Sequence, residues 1–586
     1  MSSVEIRDAW IVIDGQPVQL ISGAMHYFRI PAELWRDRLE KAVAMGLNCV
    51  ETYMPWNWHE PVRGQFDFTG MLDVERFIRL AGELGLYVVV RPGPYICAEW
   101  DNGGIPSWLM NEPGLRVRRV NEPWQRAVAD YYRAVMPRLC PLQHDHGGPI
   151  ILMQIENEYG SYGHDRAYME WLRRLMVDCG ATVPLFTADG ASEFFLANGM
   201  VEGVPSFLTG GSRLAEGARL IRRLRPQDPV FFMEFWCGWF NAWGKPHAGA
   251  ARTPQQIASE LDDILREGGS VNIYMFHGGC NFGYSAGANL YGGKLTPDTS
   301  SYDYGAPLNE YGEPTELYFA FREVIRKYRP ETPTARPKPV VIRAYGDVAI
   351  TASAPLFGQL DAIASPVRTV SPETMETLGQ PSGFVLYRTR LEDPITTSLD
   401  LWNVHDLAWV FLDGKPAGRI YRNDDCRSLK DIRVPEGGLT VDILVEALGR
   451  INYGPELARD FKGIVGDVYL GGQVTRVGWT SWCLPQGVPT GLVWGEAQPD
   501  CRLPAYHRAE LELSDEPSDT FLRFPGVCGV VWVNGFLLGR YWNVGPEKSL
   551  YVPAPLLRRG QNEIVVFETE ALSAPCLSFS ADGVLA

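Results

Sequence analysis

Two periodicities divide the chain. In its first half, apolar positions recur at helical spacing and are interrupted by short apolar runs. Residues 33–46 place Trp35, Leu39, Ala42 and Val43 on one face among charges and end on Gly46, the pattern of an amphipathic helix with a glycine stop. A strand-like run, 48–53, follows at once. The alternation repeats with helical spacing over 71–85 and a buried strand over 86–91. Further strand-like runs lie at 150–156, 183–188, 230–234 and 271–276, with helical stretches such as 254–267 among them. Adding 19–24 and a weaker run near 203–208 makes eight strands in about 280 residues, which predicts an α/β fold of the (β/α)8 TIM-barrel type over residues 1–327.

Pro330, Pro333, Pro337 and Pro339 mark residues 328–340 as a linker, and helical periodicity nearly vanishes beyond it. Short alternating runs take over, as at 383–390. One hairpin signature occurs twice: F-L-D-G-K-P-A-G-R from Phe411 to Arg419, and W-V-N-G-F-L-L-G-R from Trp532 to Arg540. Asp-Gly and Asn-Gly between apolar runs favour type I′ turns. Two all-β domains of β-sandwich or jelly-roll type are therefore expected, at 341–472 and 473–586.

Charge and composition narrow the partners. A net charge of −16 argues against nucleic acid and against anionic membrane, both of which need clustered Lys and Arg. No run of 18 apolar residues predicts a spanning helix, and the N-terminal stretch does not read as a signal peptide. Eleven cysteines without a C-x-x-C pair fit reduced thiols, so a cytoplasmic location is expected. The 18 Trp, 25 Tyr and 25 Phe are mostly core material, yet aromatic faces also serve as platforms for sugar rings. The oligomeric state stays open, a homodimer among the options.

The chemistry concentrates in Q-I-E-N-E-Y-G, Gln154 to Gly160, at the end of an apolar strand. Alternation predicts that Gln154, Glu156 and Glu158 share the inner side of the barrel while Ile151, Met153 and Ile155 face the helices. Glu158 is then nearest the C-terminal mouth, where barrel enzymes keep their chemistry. Glu156, deeper, reads as a structural acid neutralising an Arg. Glu234 ends another strand among aromatics, in F-F-M-E-F-W. Two carboxylates at the mouths of different strands meet the needs of glycosidic hydrolysis, in which one protonates the leaving oxygen and the other attacks the anomeric carbon.

A set of ordered segments resembles glycoside hydrolase family 35, the β-galactosidases, in its short bacterial, non-secreted form. They are S-G-A-M-H-Y-F-R (from Ser22), E-T-Y-M-P-W-N-W-H-E-P (from Glu51), R-P-G-P-Y-I-C-A-E-W (from Arg91), Gln154 to Gly160, E-F-W-C-G-W-F (from Glu234), M-F-H-G-G-C-N-F-G (from Met275), S-Y-D-Y (from Ser301) and G-R-Y-W-N-V-G-P (from Gly539). The resemblance implies a barrel followed by two β domains, the last galactose-binding-like. It implies a retaining exo-β-galactosidase acting on terminal β-D-galactosyl residues of oligosaccharides, with no metal or organic cofactor and a preference for β-1,3 linkages. Glu158 would be the acid/base and Glu234 the nucleophile. Asn157 would bond the sugar 2-hydroxyl, and Tyr53, Ile96, Cys97, Ala98, Glu99, Trp236, Trp239 and Tyr304 would line the galactose site. Tyr453 would border the acceptor sugar, and so would Trp243, for which a plain packing role is equally open. Trp236 stands where many relatives have Tyr, and Cys237 where many have Thr, which bears on fine specificity. A β-glucosaminidase of the same family and an inactive sugar-binding protein are the alternatives.

Other signals are weaker. G-Y-S-A-G around Ser285 spells the nucleophile elbow of serine esterases, but the pattern is cheap in a chain with 60 glycines and no helix evidently follows. His144-Asp145-His146 lies before the fourth strand, opposite the mouth, and reads as a solvated loop. His59-Glu60 lacks the second His of a zinc helix.

Overall fold

A computed structural model describes residues 2–248, 252–474 and 478–585. Its first half is a closed barrel of eight parallel strands: β1 (Ile21–Met25), β2 (Cys49–Tyr53), β3 (Tyr87–Arg91), β4 (Ile150–Gln154), β5 (Leu185–Gly190), β6 (Ser206–Gly210), β7 (Phe231–Trp236) and β8 (Ser270–His277). Each coincides with a run read as a strand from the sequence, the weak one before residue 208 included. The helices end where local chemistry says they should. Trp35–Met45 stops at Gly46 with φ 101°, and Pro254–Arg266 starts with a capping box between Thr253 and Gln256. Among the described residues no helix is long and apolar enough to cross a membrane.

The lower barrel is filled by Cys49, Val89, Ile151, Leu152, Phe186, Phe207, Phe231 and Met233. Ile11 and Ile13, from the N-terminal antiparallel meander Val4–Arg7, Trp10–Ile13 and Gln16–Val18, pack against this layer. The space left within the barrel opens at its C-terminal mouth.

The expected alternation along Q-I-E-N-E-Y-G does not hold. The pairing of β3 with β4 shifts register between Val88 and Val89, and Ile151, expected to face the helices, joins the inner cluster with Leu152. Beyond Gln154 the chain leaves the strand, with Glu156 at φ 60° and Glu158 at φ 44°. These left-handed residues turn Glu156 away from the inner row. Its carboxylate takes Arg118 (2.9 Å) and the Tyr168 hydroxyl (2.9 Å), the structural role expected of it.

The second half is all-β. Both repeated hairpins form, Leu407–Leu412 with Lys415–Tyr421 and Cys528–Val533 with Phe536–Trp542. Their turns carry positive φ at both central residues, Asp413-Gly414 and Asn534-Gly535, as type I′ requires. Each has a register shift at the equivalent place, between Val410 and Phe411 and between Val531 and Trp532. Strand pairing crosses the boundaries read from the sequence. Gly346–Pro355 pairs with Ala505–Leu513 and Cys576–Ser580 of the last sheet, while Trp479–Cys483 pairs with Pro366–Thr369 and Phe384–Leu391 of the earlier one. Alternation identifies a strand without naming its distant partner.

The β domains are tied to the barrel through buried charge. Arg450 is 1% exposed; it donates to Asp101 of the barrel (Nη1 to Oδ2, 3.1 Å) and to Glu376 (Nη2 to Oε1, 2.5 Å), while its backbone N–H donates to Asp101 Oδ1 (2.7 Å). Arg450→Ala strands two carboxylates in the interface. We expect it to cost about 3–5 kcal/mol and to lower the thermal unfolding midpoint, whereas Arg133→Ala, removing an exposed pair with Asp130, should stay within about 0.5 kcal/mol.

Candidate active site

A cavity of about 280 Å³ opens at the C-terminal mouth of the barrel. Its walls include Tyr53, Ile96, Cys97, Ala98, Glu99, Asn157, Glu158, Glu234, Trp236, Trp239, Tyr304 and Tyr453. One cavity thus brings together every residue read from the sequence as catalytic or galactose-lining, and Tyr453 with them. Trp243 is placed elsewhere. It is 4% exposed, packed near Trp542 of the last domain (ring centroids 6.5 Å apart), and does not line this cavity.

Glu234 projects from β7 and is held by donors. Its Oε1 lies 2.8 Å from the Tyr53 hydroxyl and 2.7 Å from Arg91 Nη2, and its Oε2 accepts from the Trp236 indole N–H at 2.9 Å. The Arg91 guanidinium and the Trp236 indole N–H can only donate, and the two carboxyl oxygens accept from them. Arg91, on β3, is wholly buried and also donates to Gln154 Oε1 and, at 2.5 Å, to Asn157 Oδ1. With the Tyr53 hydroxyl also 2.9 Å from that oxygen, the Asn157 amide NH₂ is the part left for another partner.

Glu158 has the opposite surroundings. Thr209 Oγ1 on β6 donates to its Oε1 at 2.6 Å. Burial first, and then the neighbouring charge of Glu234, push its pKa up to about 8, against the opposing pull of Thr209 and Arg91. One carboxyl that keeps a proton and another held as an acceptor face the same small space, so one can give a proton while the other supplies an electron pair.

The chain after β3 reaches the cavity through three consecutive left-handed residues, Cys97, Ala98 and Glu99, at φ 55°, 56° and 49°. Each costs roughly 1–2 kcal/mol in a residue with a Cβ. The run is clamped by Arg29, which donates to the Ala98 carbonyl, and by the Gly287 N–H on the Glu99 carbonyl at 2.9 Å. The Glu99 carboxyl accepts from the Tyr302 hydroxyl, and burial pushes its pKa up to about 7. The Tyr302–Tyr304 segment in turn fits only against glycine. A Cβ on Gly238 would come within 1.6 Å of the Tyr304 carbonyl oxygen, and one on Gly278 within 1.6 Å of that of Tyr302.

Sequence reasoning missed Ser161, Gly190, Phe195, Phe240, Tyr274, Asn289 and Tyr291 on the walls. Tyr274 was within reach, since alternation along β8 turns it to the same side as Asn272. Asn289 and Tyr291 ride on the hairpin Ala288–Tyr291 with Lys294–Pro297, which no periodicity marked. Trp239 (48% exposed), Tyr453 (43%) and Tyr291 (58%) form an aromatic rim. Ser285 lies outside the cavity, and its Oγ has no hydrogen-bond partner, so no base is coupled to it. His144 pairs with Asp14 and His146 with the Cys140 carbonyl; among the described residues no cluster of ligating side chains could hold a metal.

Three family models match the chain: glycosyl hydrolases family 35 over residues 10–328, the first all-beta domain of beta-galactosidase over 372–485, and the galactose-binding domain of beta-galactosidase over 504–562. Among similar proteins, the beta-galactosidase of Xanthomonas manihotis is 42% identical, covering 92% of this chain and 90% of its own. Those of Canis lupus familiaris and Homo sapiens are each 40% identical, covering 96% and 98% of this chain and 87% of their own.

Replacing Glu234 by Gln removes the charge beside Glu158. We expect the Glu158 carboxyl, followed by infrared or carbon NMR titration, to release its proton at lower pH in that variant than in the wild type, and Thr209→Val to move it in the other direction.

Proposed function

The chain belongs to glycosyl hydrolases family 35 and is a β-galactosidase of that family; on that premise we propose that it removes terminal non-reducing β-D-galactosyl residues by double displacement, with Glu234 as nucleophile and Glu158 as acid/base. The observation that carries the assignment is the contrast between the two glutamates, one with a raised pKa and one surrounded by donors, on a single cavity.

In the first step Glu158 gives its proton to the glycosidic oxygen while a Glu234 oxygen bonds to the anomeric carbon, and the aglycone leaves as an alcohol. In the second, Glu158, now a carboxylate, takes a proton from water. The hydroxide adds to the anomeric carbon as the bond to Glu234 breaks, which restores both residues and the β configuration. The free Asn157 amide is available to the sugar 2-hydroxyl, a contact that tightens in the oxocarbenium-like transition state. Glu99 accepts from ring hydroxyls that mark galactose. Tyr453 and the rim aromatics border the aglycone. We carry the β-1,3 preference and the cytoplasmic location as parts of the same proposal. The first rests on the resemblance to short bacterial members, the second on eleven unpaired cysteines.

Double displacement requires the two carboxyl groups about 5–5.5 Å apart, and a crystal structure with a separation near 8 Å would favour inversion. Because Glu158 must be protonated, kcat/KM on a disaccharide should fall as pH rises through about 8. Glu158→Gly should lower that rate by about 10²–10⁴-fold and spare a nitrophenyl galactoside far more. With azide, Glu158→Gly should yield the β-galactosyl azide and Glu234→Gly the α anomer; the reverse anomers would exchange the roles. Equal rates on β-1,3, β-1,4 and β-1,6 galactosides would remove the linkage preference, and turnover of a nitrophenyl β-glucosaminide in place of the galactoside would replace the substrate.

A further inference from the structure

A second cavity, of about 320 Å³, lies where all three parts of the chain meet. The barrel contributes Trp58, Asp101 and the loop of Tyr284 and Ser285; the first all-β domain contributes Ser382 and Gln486; the last contributes Phe536 and Leu537 from the tip of its repeated hairpin. It exceeds the catalytic cavity of about 280 Å³, which on the reading above takes one galactosyl ring. The two share a wall. Glu99 lines the first and Asp101 the second, with Trp100 buried between them and its ring edge-on to Trp58 at 4.8 Å.

The lining identifies a ligand class. Its charged residue, Asp101, has both carboxylate oxygens engaged by Arg450, and no cation lines the space, so a charged ligand finds no counter-ion. Trp58, Tyr284 and Phe536 supply apolar ring surface, and Phe536 is fixed edge-on against Phe282 at 5.3 Å. The polar groups are hydroxyl and amide. Ser285 is the telling one: 1% exposed, on the cavity wall, and without a hydrogen-bond partner for its Oγ. A buried hydroxyl left unpaired costs about 1–3 kcal/mol, which a ligand hydroxyl would recover. Fixed aromatic surface combined with neutral hydrogen-bonding groups is the chemistry of a pyranose site. We propose that this three-domain cavity is a second, non-catalytic binding site for a neutral pyranoside; that galactose is its first candidate rests on the galactosidase reading.

The test uses the intact enzyme soaked in crystals, and titrated in solution, with a thio-linked β-galactoside that resists hydrolysis. The methyl glycosides of glucose, mannose and N-acetylglucosamine serve in parallel. A sugar beside Ser285, in addition to one in the catalytic cavity, is the expected result. Ser285→Val and Phe536→Ala should each weaken the second binding event by about tenfold, about 1.4 kcal/mol, and leave kcat/KM on a nitrophenyl galactoside within about twofold of wild type. A filled catalytic cavity with no sugar of the panel beside Ser285, or a second binding event indifferent to both variants, would overturn the proposal. An empty catalytic cavity and absent turnover would instead count against the galactosidase reading, which the occupancy beside Ser285 reports separately.

Discussion

The buried guanidinium of Arg91 is the interaction on which the site depends. Burial works against its charge, and Tyr53, Glu234 and Glu51 more than offset that cost, so its pKa is raised. A charge fixed there orders what surrounds it. Glu234 gains a permanent counter-ion, and Asn157 and Gln154 are turned by the bonds their carbonyl oxygens accept. Glu51, 3.9 Å away, has its pKa pushed up to about 7 by burial even beside that cation. The negative charge stabilised on Glu234 is in turn one of the forces that keep the proton on Glu158. Arg91 thus acts on both carboxyl groups without lining the cavity itself.

Most of the architecture was legible because it is local. A strand of the barrel carries its own signature in a short apolar run, and a type I′ turn needs only Asp-Gly or Asn-Gly. The two glutamates that meet in the cavity were legible for the same reason, since each lies at the end of such a run. What escaped is what other segments decide. The inward row through Gln154 failed at Glu156 because two left-handed residues reset the direction of the side chains. Trp243 reads as a site aromatic until the last domain covers it with Trp542. Phe195 reaches the cavity from the short helix Glu193–Gly199, and Asn289 and Tyr291 from a hairpin strand, elements whose placement over the mouth no period-two or period-3.6 pattern encodes.

Strain and support are also divided among distant segments. The left-handed run Cys97–Glu99 aims Glu99 inward, and its clamps come from Arg29 and Gly287, far apart in sequence. Glu99 leans on Tyr302. The neighbouring Ser300 and Ser301 donate their backbone N–H groups to Glu547 of the last domain, at 2.8 and 3.1 Å. The β domains therefore hold the rim in shape as well as decorating it. Arg450 does the same from the first β domain, two residues before Asn452, whose carbonyl accepts from the Tyr95 hydroxyl at 2.8 Å.

The meander beneath the barrel has a kinetic meaning. With Ile11 and Ile13 sealing the floor, the mouth is both entrance and exit, so the pocket is a blind end. On the proposed double displacement, a sugar bonded to Glu234 would sit behind the position of its own aglycone. The aglycone would then depart before water could approach, and the galactose would come out last. A second acceptor alcohol arriving in that interval would take the same place as the water, so a blind pocket that enforces ordered release would also open the proposed intermediate to sugar transfer.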